Sequence, residues 1–80
     1  MMKTAFTLIT CDLGTEEKIV ENLKTIDRIK EVRRVMGNYD IVVKLEAQTK
    51  EDLMKIITQK IRKITNIRST LSLIKNEIET

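Results

Sequence analysis

The chain contains no histidine, no proline and no tryptophan, and its one cysteine is Cys11. Each absence removes a class of function. Without histidine there is no imidazole to act as a general base, and neither paired glycines nor a G-x-S-x-G elbow is present. One cysteine cannot build a tetrahedral zinc centre, so no metal, cofactor or enzymatic activity is expected. Nor can it close an internal disulfide, which suits a reducing, cytoplasmic compartment. With no activating partner in the sequence, Cys11 reads as a small buried apolar residue at the end of a strand. No run approaches the roughly 20 apolar residues of a membrane span. The opening "MMKTAFTLITCDL" lacks the long apolar segment and small-residue cleavage site of a secretory leader.

What remains is 80 residues, one small domain whose lone core is marginal. Small domains usually gain stability from disulfides, a metal or self-association, and only the last is open here. The net charge of +3, from 15 basic and 12 acidic residues, is spread through the chain and reads as a solvated surface.

"KTAFTLITC" alternates loosely and predicts a strand over residues 3–11. "DLGTEEKIVENLKTI" predicts a helix capped by Thr15, with Glu16 and Glu17 in the first turn and Ile19, Val20, Leu23 and Ile26 on one face. Residues 29–36 and 39–47 read as strands joined by Gly37-Asn38 in a two-residue type II′ hairpin. "TKEDLMKIITQKIRKI" predicts a second helix, capped by Thr49 with Asp52 at capping-box spacing, about one turn longer than the first. "NIRSTLSLIK" closes as a strand.

The order is βαββαβ, and "LKTIDRI" and "IRKITNI" repeat one apolar spacing at the end of each helix. Two βαβ halves with right-handed crossovers give an α+β, ferredoxin-like domain: a four-stranded antiparallel sheet with both helices on one face. Ile41, Val43, Leu45 and Ala47 should meet the helices. Phe6, Leu8 and Val42 leave the other face too apolar for water, so a dimer partner is expected to cover it. In the second strand Val32 and Val35 fall on opposite faces unless a bulge intervenes.

RNA-recognition modules share this element order but stack bases on sheet aromatics. Phe6 and Tyr39 are the only aromatics here, and neither sits in such a motif. Arg28, Lys30, Arg33 and Arg34 read as a solvated edge that discourages strand pairing. Direct DNA binding is not expected, because the first strand starts almost at Met1 with no helix-turn-helix before it.

"VMGNYDIVVKLEAQTKEDLMKIITQKIRKITNIRSTLSLI" resembles the C-terminal ligand-sensing domain of Lrp/AsnC regulators, also called the RAM domain. A Gly-x-Tyr-Asp turn, a strand ending "KLEA", a helix ending "IRKI" and a last strand opening Arg-Ser-Thr carry the likeness, which covers residues 3–75. The resemblance implies a stand-alone sensing module that pairs through its sheet, with dimers joining into rings such as octamers and a free amino acid bound between dimers. It places Gly37, Asn38, Tyr39 and Asp40 beside the effector, with Thr70 and Ser72 as polar neighbours. The chemistry suits an amino acid. Asp40 can take the ammonium, backbone N–H groups near Gly37 can approach the carboxylate, and the hydroxyls can donate or accept. Because the turn and the last strand are expected on different parts of the sheet, a site using both would draw on two chains.

Alternatively, Tyr39 packs at an interface and Asp40 caps the turn. The chain would then be an interaction module that co-assembles with full-length Lrp/AsnC regulators without binding a ligand. A third possibility is an enzyme subunit of the dimeric α/β-barrel type, which the missing histidine disfavours.

Overall fold

A computed structural model describes residues 2–75. β1 spans Lys3–Cys11, α1 Glu16–Lys24, β2 Ile29–Arg34, β3 Ile41–Ala47, α2 Lys50–Ile56 and β4 Ile67–Ile74, with a π-helical turn, Ile57–Ile61, continuing α2. The strands form one antiparallel sheet in the order β2-β3-β1-β4. This is the expected ferredoxin-like arrangement. Among the described residues no helix is long and apolar enough to cross a membrane.

Strict alternation creates the core. Ala5, Thr7, Ile9 and Cys11 of β1 are buried alongside Ile41, Val43, Leu45 and Ala47 of β3. Ile19 and Leu23 of α1, Leu53 and Ile56 of α2, and Ile57 and Ile61 of the π turn close over them. The one polar member of this core, Thr7, is satisfied by the Ser72 hydroxyl across the β1–β4 ladder, 3.0 Å away.

Three local expectations need correction. Thr15 takes the N-cap position of α1 but makes no side-chain cap: its hydroxyl donates back to the Asp12 carbonyl at 2.6 Å, whereas Thr49 accepts from the Asp52 N–H at 3.1 Å as expected. The β2–β3 connection is longer than a two-residue hairpin. The strands end at Arg34 and Ile41, and the Val35 N–H reaches the Asp40 carbonyl at 2.9 Å across a wider loop. Gly37 is needed there for its backbone, at φ 121°, since a Cβ would meet no atom within 4 Å. The bulge in β2 lies earlier than the valine pattern suggests, between Ile29 and Glu31. Val32 therefore faces Val43 while Val35 lies in the loop beyond the strand.

The second helix forms as expected, but not as a regular α-helix throughout. At about 100° per residue, an uninterrupted α-helix would put Lys60, four residues after Ile56 and three after Ile57, in the middle of the buried stripe. The π turn adds a residue to that revolution, closed by the Arg62 N–H donating to the Ile57 carbonyl at 3.0 Å. Ile61 swings into the core, fully buried, and Lys60 moves out to the exposed flank.

The internal repeat is also structural. The sixth residue of each heptapeptide has a left-handed backbone, Arg28 at φ 81° and Asn66 at φ 77°. Each offers its carbonyl to a neighbouring strand end, Arg28 to the Glu46 N–H and Asn66 to the Asp12 N–H, both at 3.0 Å. Asparagine tolerates that region and alanine does not. Asn66→Ala should cost about 1 kcal/mol in urea unfolding while Asn66→Gly stays within a few tenths.

Candidate functional site

Three connections meet at one end of the sheet: the loop after β1, the β2–β3 loop and the segment entering β4. Asp40 ties the first two together. Its N–H donates to the Ile9 carbonyl at 2.8 Å, its carbonyl accepts from Val35, and carboxylate oxygen Oδ2 accepts from the Cys11 N–H at 2.9 Å. A carboxylate offers about four lone-pair directions, so this contact leaves acceptor capacity for an incoming ammonium. Tyr39 is half-buried beside it, while Gly37 and Asn38 are exposed at the tip.

Thr70 belongs to the same end, although the turn and the last strand lie on opposite sides of β1, on different parts of the sheet as expected. β1 runs between β3 and β4, and Ile9 pairs with Ile41 on one side and Thr70 on the other. At about 4.8 Å per strand spacing, the start of β3 and Thr70 lie about 10 Å apart within one chain. Ser72 is one pleat further in, opposite Thr7, and its hydroxyl is engaged there.

Sequence reasoning missed Arg68 and Asp12. The β1–β4 register shifts at Thr10/Cys11, making Arg68 the extra residue of a bulge, and bulges re-aim side chains. Arg68 Nε lies 3.9 Å from Asp12 Oδ1. Only strand order brings these charges beside the turn; Arg68 entered the sequence reading only as the first residue of Arg-Ser-Thr, and Asp12 belongs to no motif.

Cys11 is buried. Burial pushes its thiol pKa up, and the nearby Asp40 and Glu16 carboxylates add to this, against a lowering contact from Thr15. A neutral, buried thiol is a poor nucleophile. Among the described residues no cluster of three or more potential metal ligands occurs.

The βαββαβ sheet thus carries a polar end with charges of both signs, where three connections meet. The chain belongs to the Lrp/AsnC ligand-binding domain family, whose pattern it matches over residues 4–76. It is 32% identical over 74 residues to an HTH-type transcriptional regulator of Pyrococcus furiosus, covering 89% of this chain and 49% of that one. A homocitrate synthase of Saccharolobus islandicus is 35% identical over 65 residues, 80% of this chain but only 14% of the enzyme. The crystal structure of FFRP-DM1 superposes with a TM-score of 0.88 at 39% identity, covering 92% of this chain and 99% of that one. The chain thus spans about half the length of the regulator it matches, and a small part of the enzyme.

Removing the Asp40 carboxylate leaves the Cys11 N–H without its partner. Asp40→Ala should lower stability by about 1–3 kcal/mol in urea unfolding, while Asp40→Asn, which keeps an acceptor, should lose less than half of that. The folded thiol favours protonation, so Cys11 contributes stability below about pH 9, its unfolded value. That contribution is lost as pH rises through its higher folded pKa. Cys11→Ala should flatten the alkaline limb of a stability–pH curve.

Proposed function

We propose that this domain is an amino-acid-responsive regulatory module that works as an oligomer. The observation that carries the reading is membership, over nearly the whole chain, of a ligand-binding family, with Asp40 and Thr70 on either side of Ile9. The effector's ammonium meets Asp40, with Gly37, Asn38 and Tyr39 shaping the turn and Thr70 and Ser72 supplying hydroxyls. Arg68 is suitably placed for the carboxylate. The Pyrococcus relative is an HTH-type regulator and the Saccharolobus relative a biosynthetic enzyme. A domain found with both DNA binding and catalysis is best understood as a shared sensor.

The helix-free face supports self-association. Phe6 faces Leu73 and Leu8 sits between Leu71 and Val42, an apolar strip across three strands. Phe6, Leu71 and Leu73 are 36%, 46% and 53% exposed. Pairing two such faces would bury them in a homodimer. Leu13 and Met36, almost wholly exposed on the loops at the candidate-site end, suit contacts between dimers in a larger ring such as an octamer. In a reducing cytoplasm, the module would act on transcription or metabolism indirectly, by co-assembling with longer family members.

A second reading has a specific observation behind it: Asp40 and Ser72 already have structural partners in Cys11 and Thr7. The chain would then be an assembly module without a ligand.

A thermal-shift screen against the twenty amino acids separates the two. An effector at 100 times its dissociation constant stabilises the fold by about 2.7 kcal/mol. The expected result is a shift for one or a few amino acids, lost in Asp40→Asn. No shift for any, with assembly intact, overturns the sensor reading. For the interface, Leu73→Lys should convert the dimer to monomer in size-exclusion chromatography with light scattering.

A further inference from the structure

At the opposite end of β3 from the turn lies an open cavity of about 420 Å³ that the effector reading does not use. Ala47 and Ile56 form its apolar floor. One wall is the α1–β2 connection, with Asp27 and Arg28; the other is the flank of α2 and its π turn, with Asp52, Lys55 and Lys60. Three cations and two carboxylates thus converge above a small apolar surface.

Two departures from regular backbone put two of the three cations there. Arg28 is left-handed at φ 81°, where its counterpart in the other half is Asn66. The backbone requirement, a carbonyl turned toward a strand end, is met in both halves, and asparagine meets it at lower cost. Arginine at this position is therefore not explained by the turn. Lys60 reaches the cavity wall because the π turn rotates it off the buried stripe, and π turns recur at functional sites. Strain and irregularity in both walls of one cavity lead from structure to a hypothesis of function.

We propose that this cavity is a second small-molecule site, separate from the turn, for a net-anionic zwitterion carrying one ammonium and at least two carboxylates. Arg28, whose planar fork matches a carboxylate, takes one acidic group, and Lys55 and Lys60 take the other. Asp52 on the wall meets the ammonium; Asp27 on the rim, its side chain 99% exposed, lies 3.9 Å from Arg28 Nε in a weak surface pair that the ligand's carboxylate displaces. The carbon chain lies on Ala47 and Ile56. Both signs of charge in the lining disfavour a simple polyanion, and the surplus cation disfavours a neutral zwitterion.

Methyl NMR on the assembled protein tests this, with the Ala47 and Ile56 methyls reporting on the cavity and Ile41 on the turn. The two are about 20 Å apart along β3. The probe is L-glutamate. Glutarate lacks the ammonium, L-glutamine lacks one carboxylate, and sodium chloride at equal ionic strength controls for screening. Saturable shifts at Ala47 and Ile56 are expected for glutamate, with affinity at least tenfold weaker for glutarate and glutamine. Arg28→Asn, which suits the left-handed backbone, should weaken binding at least tenfold while leaving Tm unchanged or higher; Lys60→Gln should weaken it as well. Shifts that do not saturate, that sodium chloride reproduces, or that Arg28→Asn leaves intact overturn the proposal. Shifts confined to Ile41 overturn it too, while supporting an effector at the turn.

Discussion

β1 must be paired on both edges, and most of the molecule follows from meeting that requirement. Its N–H and C=O groups are used in ladders with β3 and β4. Where the β3 ladder runs out, Asp40 continues it by donating to Ile9 and accepting from Cys11. Where the β4 ladder slips at its bulge, Asn66 receives the Asp12 N–H. Buried backbone groups left unpaired are costly, so the loops flanking β1 are drawn to the same end of the sheet. The candidate site is a by-product of finishing the central strand. That is why Asp40, a structural latch, also stands where the proposed effector would meet it.

The two halves show what repetition fixes and what it leaves free. Both helices lead into their next strand through a left-handed residue that serves a neighbouring strand end. The halves diverge in what surrounds that shared joint. One has Asn66, with Asp12 and Arg68 nearby; the other has Arg28 and a cavity walled by α2. The second helix also carries a lysine in its apolar register and resolves the conflict with a π turn. Tertiary packing overrides the regular hydrogen-bond pattern there, because burying an ammonium costs more than one irregular turn.

A domain this small cannot hide all of its apolar side chains behind two short helices. The helices cover one face of the sheet, and the strip from Val42 through Leu8 and Phe6 to Leu71 and Leu73 lies on the other. The charged residues of that face, Glu31, Arg33, Lys44 and Glu46, lie toward β2, so apolar and polar halves are separated along the sheet. Such a division suits a specific partner surface, because charges beside an apolar strip penalise misaligned pairing.

Much was legible in the sequence because it depends on local periodicity. The alternation of "KTAFTLITC" located β1 over residues 3–11, where the structure has it. Period-two spacing identified the buried series of β3, the Thr49 cap followed from its position, and the repeat was visible as spacing. Only the tertiary structure decided strand order, and with it that Thr70 and Asp40 come to the same end of the sheet on either side of Ile9. It also decided the bulges, the true length of the Gly37 loop and the rotation of Lys60. Periodicity reports which way a side chain faces, but a bulge or π turn arises when distant elements compete for the same space. A site assembled across β3, β1 and β4 depends on hydrogen bonds between residues tens of positions apart, and no local pattern records those.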